Sequence, residues 1–452
     1  MSLRSITAVA LTCAALVLPP EGGSHRDARR EHISERSNSI WSLRSHPISW
    51  LPPLGGSVSL SAQDWNQWRG PARNGSVPAA STPAWPAAWK RAWRVDVGEG
   101  YSSPVVAGGR AFVHSRRDPD EIVTAIDIAT GKVAWEQKYT TPFNKNQYAT
   151  KMAKGPHATP LVIGDRVFTL GGMAVLSAWN TKTGALVWRK DYSASVDTSK
   201  LFTGTAASPL SEGGSVIVQV GSDVKGGRLI ALDPLTGAER WTWTGKGPGY
   251  GSPVVVSTGA SRQIVTMTNG SIEGIDAKTG SSLWSVPFPD DFHENIVTPV
   301  WTGTHLIVSS SSAGMHAYTL KLAGGKWQPT EAWKNPEVAM YMSTPVLADG
   351  VLYGLSVKKK GQIVAVDAAT GTLKWATEGR AADQAAILLT PAHVLVLTTG
   401  GELVLVRRSP AKYDEERRYT VADSATWAVP VVLPDGLIVR DASGLMRLTA
   451  GS

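Results

Sequence analysis

The sequence of 452 residues holds a single cysteine, Cys13, set inside an apolar run close to the amino terminus. If that run is removed on export, the remaining chain can form no disulfide, no thiolate-ligated metal site and no c-type haem. Runs long enough to span a membrane are also missing. Ile6 to Leu18 is only about a dozen residues, and with the basic start Met1-Ser2-Leu3-Arg4 it reads as a secretory signal over residues 1–22, leaving no transmembrane span in the mature chain. Thr12 precedes Cys13 and Ala14 to Leu18 continue apolar beyond it, which argues against a lipid anchor. Charge of one sign is not concentrated. The net charge is +8, and Arg116-Arg117, Lys358-Lys359-Lys360 and Arg417-Arg418 lie far apart, as expected of solvated loops. Nucleic-acid binding is therefore not expected. The nine histidines include no His-x-x-x-His pair, and no second ligand stands beside His157. No metal site and no catalytic residue can be assigned on this pattern, and no long helical period is present.

What is present is a repeat. Ala-x-Asp-x-x-Thr-Gly-x-x-x-Trp returns as Ala125/Asp127/Thr130/Gly131/Trp135, Ala178/Asn180/Thr183/Gly184/Trp188 and Ala231/Asp233/Thr236/Gly237/Trp241. Two further copies are Gly274/Asp276/Thr279/Gly280/Trp284 and Ala365/Asp367/Thr370/Gly371/Trp375. The first four recur every 43 to 53 residues, the period of a four-stranded propeller blade. In each copy the Asp and Thr can bond their own backbone in a turn, Gly supplies the positive φ, and Trp opens the next strand with a large face for stacking one repeat on another.

Inner strands precede each motif and carry Ser/Thr-Pro: Ser103-Pro104, Thr159-Pro160, Ser208-Pro209, Ser252-Pro253, Thr298-Pro299 and Thr344-Pro345. Val429-Pro430 is a version without the hydroxyl. Thr390-Pro391 is out of register, because Ile387-Leu388-Leu389 aligns with Pro345-Val346-Leu347 and places Pro391 in the following turn. Eight inner strands imply an all-β, eight-bladed propeller of four-stranded antiparallel blades over residues 90–452. The outer strand of the fifth blade is expected to start at Trp333, and the seventh blade to replace its outer Trp by Tyr419. The last blade has no outer strand of its own, and residues 92–97 before the first inner strand are unpartnered, so this N-terminal strand is expected to close the ring. Residues 23–62 are polar and unpatterned, a disordered or processed linker with a second possible cleavage point after Ala62, and residues 63–89 form a lead-in.

The repeat resembles the tryptophan-docking motif of the pyrroloquinoline quinone (PQQ)-like propellers, and Asp64-Trp65-Asn66-Gln67-Trp68-Arg69-Gly70-Pro71 is similar to the opening of exported proteins of that family. One branch of the family, the quinoprotein dehydrogenases, holds PQQ with Ca²⁺ over the axis. Another resembles the outer-membrane-protein assembly factor BamB, a scaffold without catalysis. The vicinal cysteine pair found in many of the dehydrogenases is absent here, and the longest excursions, Tyr139 to Pro156 and Asp191 to Thr205, are modest. The group Asp290-Asp291, Glu294 and Asn295 is expected to be an exposed polar connector rather than a Ca²⁺ site. The resemblance thus implies a periplasmic, monomeric, non-catalytic scaffold for a protein partner in the envelope, with no cofactor. PQQ-dependent oxidation and glycan binding are the alternatives.

Three residues before each inner-strand Pro position stand Tyr101, His157, Ala206, Tyr250, Ile296, Met342, Gln384 and Trp427. Rings with polar tips bury area and still hydrogen-bond, as binding surfaces require. A partner or ligand is therefore expected at a funnel mouth lined by Tyr101, His157, Tyr250, Tyr341, Gln384 and Trp427.

Overall fold

In the computed structural model, residues 64–149, 152–198, 201–259 and 261–450 are described; the signal, Cys13 and linker assignments lie outside them. The described chain forms eight four-stranded antiparallel sheets, an eight-bladed propeller. The first blade consists of Val105–Ala107, Arg110–Arg117, Asp120–Asp127 and Val133–Thr140. The other innermost strands are Leu161–Ile163, Leu210–Glu212, Val254–Thr258, Val300–Trp301, Val346–Ala348, Ala385–Leu389 and Val431–Leu433. Ala385–Leu389 contains Ile387 to Leu389, as the register argument required, and Pro391 falls in the turn.

The eighth blade closes as expected. Trp89–Asp96 pairs antiparallel with Gly444–Ala450, three residues longer at its start than the sequence suggested. This pairing removes the open edge that strands at chain ends leave.

The repeated motif performs two tasks at once. Asp127 Oδ1 accepts the Thr130 N–H and hydroxyl, and Asn180, Asp233, Asp276 and Asp367 do the same for their threonines. The motif glycines all hold φ between 72° and 74°. On each of them lies a tryptophan of the preceding blade: Trp93 on Gly131, Trp135 on Gly184, Trp188 on Gly237, Trp241 on Gly280 and Trp333 on Gly371. The indole N–H seals the contact by donating to a turn carbonyl, as from Trp135 to Thr181 at 3.0 Å and from Trp188 to Pro234 at 3.1 Å.

Trp284 and Trp375 depart from the expected stacking of one motif on another, because the blades that follow them, the fifth and the seventh, have lost the motif glycine. Trp284 is buried but turns back onto its own blade. It lies across Gly274, its cross-strand partner, and its indole N–H donates to Gln263 Oε1 at 2.6 Å. A Cβ at Gly274 would meet that ring at 2.0 Å, which accounts for glycine where the other copies carry alanine. Trp375 does reach the next blade, donating to the Ser409 carbonyl at 2.9 Å. There it meets Tyr413 edge-on at 5.8 Å in place of a glycine.

Two irregular blades also differ from expectation. The fifth blade's outer strand is Lys326–Asn335, so Trp333 lies inside it; the preceding strand runs on to Ala323 and turns at Gly324-Gly325, lengthening the hairpin. In the seventh blade the tryptophan register belongs to Arg417, which opposes Leu405 beside the bulge as Trp135 opposes Ala125. Arg417 Nη1 donates to the Trp85 and Pro86 carbonyls, 3.0 and 2.5 Å away, and Tyr419 donates to Pro86 at 2.7 Å. The lead-in before the closing strand thus takes the place of the missing turn in the eighth blade, and Arg417 docks on it as a tryptophan would.

Candidate functional site

The Ser/Thr-Pro positions build a belt round the axis. The Ser103 N–H donates to the Thr159 hydroxyl at 3.2 Å, Thr159 to Ser208 at 3.0 Å, and Ser208 to Ser252 at 2.9 Å. Ser252 donates to Thr298 at 2.9 Å, Thr298 to Thr344 at 3.2 Å, and Val429 to Ser103 at 2.8 Å. Each hydroxyl accepts from the blade before it, which is why a hydroxyl recurs ahead of the proline. The seventh and eighth blades break the pattern: Ala386 and Val429 stand at the belt position without a hydroxyl, and beside the first of them the Ala385 N–H donates to Ser343 Oγ at 2.9 Å.

Prolines leave the inner edge with carbonyls and no N–H at those positions. The lead-in satisfies that edge by filling the axis. Trp65 exchanges backbone bonds with Val106, Asn66 O accepts from Val162, and Gly75 and Val77 pair with Leu389. Arg73 donates to Pro253 at 3.1 Å, Pro209 at 2.8 Å and Ser208 at 2.7 Å, while Arg69 Nη2 donates to Pro345 at 2.6 Å. Six blades are tied through one segment. Both guanidiniums are buried and flank the Trp68 ring at 5.4 and 5.7 Å, and burial lowers each to about 9, so both stay protonated at neutral pH.

Above this plug lies a cavity of about 180 Å³. All eight residues three before the Pro positions line it, and all eight are half-buried. Trp427, Tyr101 and His157 stack in a row, with centroids 5.2 and 5.0 Å apart and planes within 24° and 19°. Burial and the Arg440 charge hold the His157 imidazole down to about 4, so it is neutral at physiological pH. Tyr101 accepts the Ala153 N–H at 3.0 Å and Tyr250 accepts that of Phe202 at 2.5 Å, pinning the two long connectors over the mouth. Those connectors contribute Met152 and Phe202 to the lining.

Of the six expected mouth residues, Tyr101, His157, Tyr250, Gln384 and Trp427 share this cavity. Tyr341 is not in its lining; its hydroxyl donates to Glu294. Sequence reasoning missed Trp68, Arg69, Met152 and Phe202. The two long connectors were a usable signal for the last pair, but nothing local shows that the lead-in enters the axis.

Two other expectations need correcting. In the Asp290 to Asn295 connector, Asp290, Glu294 and Asn295 are buried while Asp291, Phe292 and His293 stay exposed: Asp290 accepts from Ser312 at 2.9 Å, and Asn295 donates to the Thr268 and Phe288 carbonyls at 2.8 and 3.0 Å. Glu294 accepts from the Tyr341 hydroxyl, and Asn295 Oδ1 has no hydrogen-bond partner among the described residues. Arg116 is likewise buried, with Nη2 on the Thr141 carbonyl at 2.8 Å, so its basic pair is not a solvated loop. No group of three or more His, Cys, Asp or Glu side chains among the described residues could hold a metal ion, and no helix there is long and apolar enough to cross a membrane.

Comparison with known proteins gives a consistent family. A family model described as outer membrane protein assembly factor BamB matches residues 39–152, 119–377 and 268–413. BamB of Moranella endobia is 24% identical over 297 residues, covering 62% of this chain and 68% of that protein. Other curated relatives are spanned over less of their length, 46% for one and 27% for another. Among solved structures, BamB from Moraxella catarrhalis superposes with a TM-score of 0.55 at 15% identity, covering 80% of this chain and 99% of that one. Quinohemoprotein alcohol dehydrogenase from Comamonas testosteroni superposes with a TM-score of 0.64 at 14% identity, covering 86% and 81%. At such identities these two structures share the fold with this chain.

Proposed function

The chain belongs to the PQQ-like propeller family described as outer membrane protein assembly factor BamB, and from that premise we propose that it is an exported, non-catalytic scaffold whose propeller mouth binds a protein partner in the bacterial envelope. The observation that carries the reading is the convergence of one half-buried side chain from each of the eight blades on a single cavity, with rings at four of the eight positions. The rim adds exposed apolar area. Connectors between blades and the turns joining second to third strands leave the propeller at the end where inner strands begin. Tyr148, Val224 and Phe292 lie on such segments and are 77%, 62% and 66% exposed. Exposed aromatic and aliphatic groups around a cavity are what a protein interface uses for its anchors.

The dehydrogenase reading fits these residues poorly. A hard cation beside a quinone needs several converging oxygen ligands, carboxylates foremost. The cavity lining has no Asp or Glu, and Asp290, outside it, accepts from Ser312. The lining therefore does not suit PQQ with Ca²⁺.

The test is photo-crosslinking in intact envelopes from single positions. Probes at Tyr148 and Phe292 should give the same discrete protein adduct, while a probe at Val133, in the outer strand just after the opposite-face turn, should not. Adducts from Val133 alone, or none from the mouth, would refute the proposal.

A further inference from the structure

Within that mouth, the charge of Arg69 is out of balance. Buried charges are ordinarily paired, since an isolated one loses its hydration without return. Arg73, deeper in the axis, is satisfied by three backbone carbonyls and lies outside the cavity lining. Arg69 lines the cavity, is only 3% exposed, and makes a single hydrogen bond among the described residues, from Nη2 to the Pro345 carbonyl. No carboxylate of the described residues lies within ion-pair distance of it.

The rest of the wall has the same bias toward donation. Thr159, Ser208, Ser252, Thr298 and Thr344 each accept an N–H from the neighbouring blade, which leaves the hydroxyl proton to donate. All five line the cavity, and no acidic side chain does. Such a wall is complementary to an acceptor-rich anion. The collar above is apolar and flat, formed by the Trp427–Tyr101–His157 stack with Phe202, Met152 and Met342. The volume, about 180 Å³, suits one ring-sized group; a cavity of roughly 150 Å³ takes benzene.

We infer that the mouth cavity is a carboxylate site, taking one carboxylate borne on a single ring or a similarly compact apolar group, with Arg69 and the hydroxyl belt on the anion and the aromatic collar on its apolar part. A planar guanidinium with free N–H groups is suited to a carboxylate, and bonds to charged groups are the stronger kind. This chemistry can come from a free aromatic acid or from the C-terminal residue of a polypeptide. The inference rests on the mouth being the binding face, and not on the partner being a protein.

The full chain would be titrated with phenylacetate, phenylacetamide, and a short peptide ending in Phe with its carboxylate either free or amidated. Tryptophan fluorescence, to which Trp68 and Trp427 contribute from the cavity wall, and calorimetry give the affinities. Phenylacetate should bind saturably and roughly tenfold or more tightly than phenylacetamide, the loss expected when a charge-assisted bond is removed. Arg69→Gln should erase that preference and Arg69→Lys should keep part of it, with circular dichroism reporting the fold. Binding of the free-acid peptide over its amide identifies a polypeptide terminus as an admissible source; binding of phenylacetate alone restricts the site to small acids. Equal affinity for acid and amide, or no saturable binding by any of the four, overturns the inference on the unaltered protein. An absent crosslink in the envelope would leave this titration untouched, so the two failures are distinguishable.

Discussion

Blade docking can be tested by pairing Gly184→Ala with Trp135→Ala. Gly184 has φ +74°, and a methyl there would lie 2.7 Å from Trp135 Cδ2 and 2.9 Å from Cε3. Two costs add in the single variant: about 1 kcal/mol for an L residue in the left-handed region, and about 1–3 kcal/mol for forcing a packed ring aside. Trp135 is 8% exposed, sits 5.9 Å from Phe112 and donates to the Thr181 carbonyl. Its replacement by Ala should cost about 3–5 kcal/mol through the cavity left behind. In the double variant the clash is gone while the backbone cost remains, so the total should fall short of the sum by about 1–3 kcal/mol. Denaturant midpoints at constant slope give the four stabilities. Additivity within about 0.5 kcal/mol would show that the ring does not rest on the glycine. Trp188 and Trp241 are only half-buried, so the same truncation there should cost less, about 2–3 kcal/mol.

Ser252→Ala, which deletes one link of the hydroxyl belt and leaves the Ser208 N–H without its acceptor, should lower stability by about 1–3 kcal/mol; a midpoint equal to wild type would make the belt incidental. Arg417→Ala should loosen ring closure by freeing Trp85 and Pro86, seen as faster amide exchange in Trp89–Asp96 than in the outer strand of the first blade; uniform exchange in both would refute this docking role. His157 takes up its proton at about 6.5 when unfolded and only near 4 when folded. Stability should therefore decline as pH falls through that window and level off below it, by about 2 kcal/mol in total once its partial contact with water is allowed for. His157→Gln should flatten that part of the profile, and an unchanged pH dependence would place the titrating group elsewhere.

The blades were legible because each is specified locally. Asp, Thr and Gly set a turn within five residues, the following Trp needs only a neighbour of the same kind, and repetition then provides that neighbour. Where the neighbour lost its glycine, the same Trp had to settle otherwise: Trp284 against Gly274 of its own blade, Trp375 against Tyr413 and the Ser409 carbonyl. Their own motifs carry no sign of this, since the change lies one blade ahead. The mouth was partly legible by repetition as well: counting three residues back from each Pro position finds Tyr101, His157 and Trp427 without knowledge of their contacts. Nothing in Arg417 itself announces a docking residue, because its function depends on Trp85 and Pro86, more than 300 positions away in the chain.

Alone, the sequence determined the blade count, the hairpin order, the turn chemistry and the use of an N-terminal strand for closure, since all follow from short-range spacing and hydrophobic periodicity. Tertiary structure decided what the axis contains. That Trp65 to Val77 threads the centre, that Arg73 finds three carbonyls while Arg69 keeps a charge at the cavity wall, and that the serines and threonines form a belt all depend on which inner edges face one another. Those edges come together only when the ring closes, bringing residues tens to hundreds of positions apart within hydrogen-bond reach. A linear pattern carries no record of such distances.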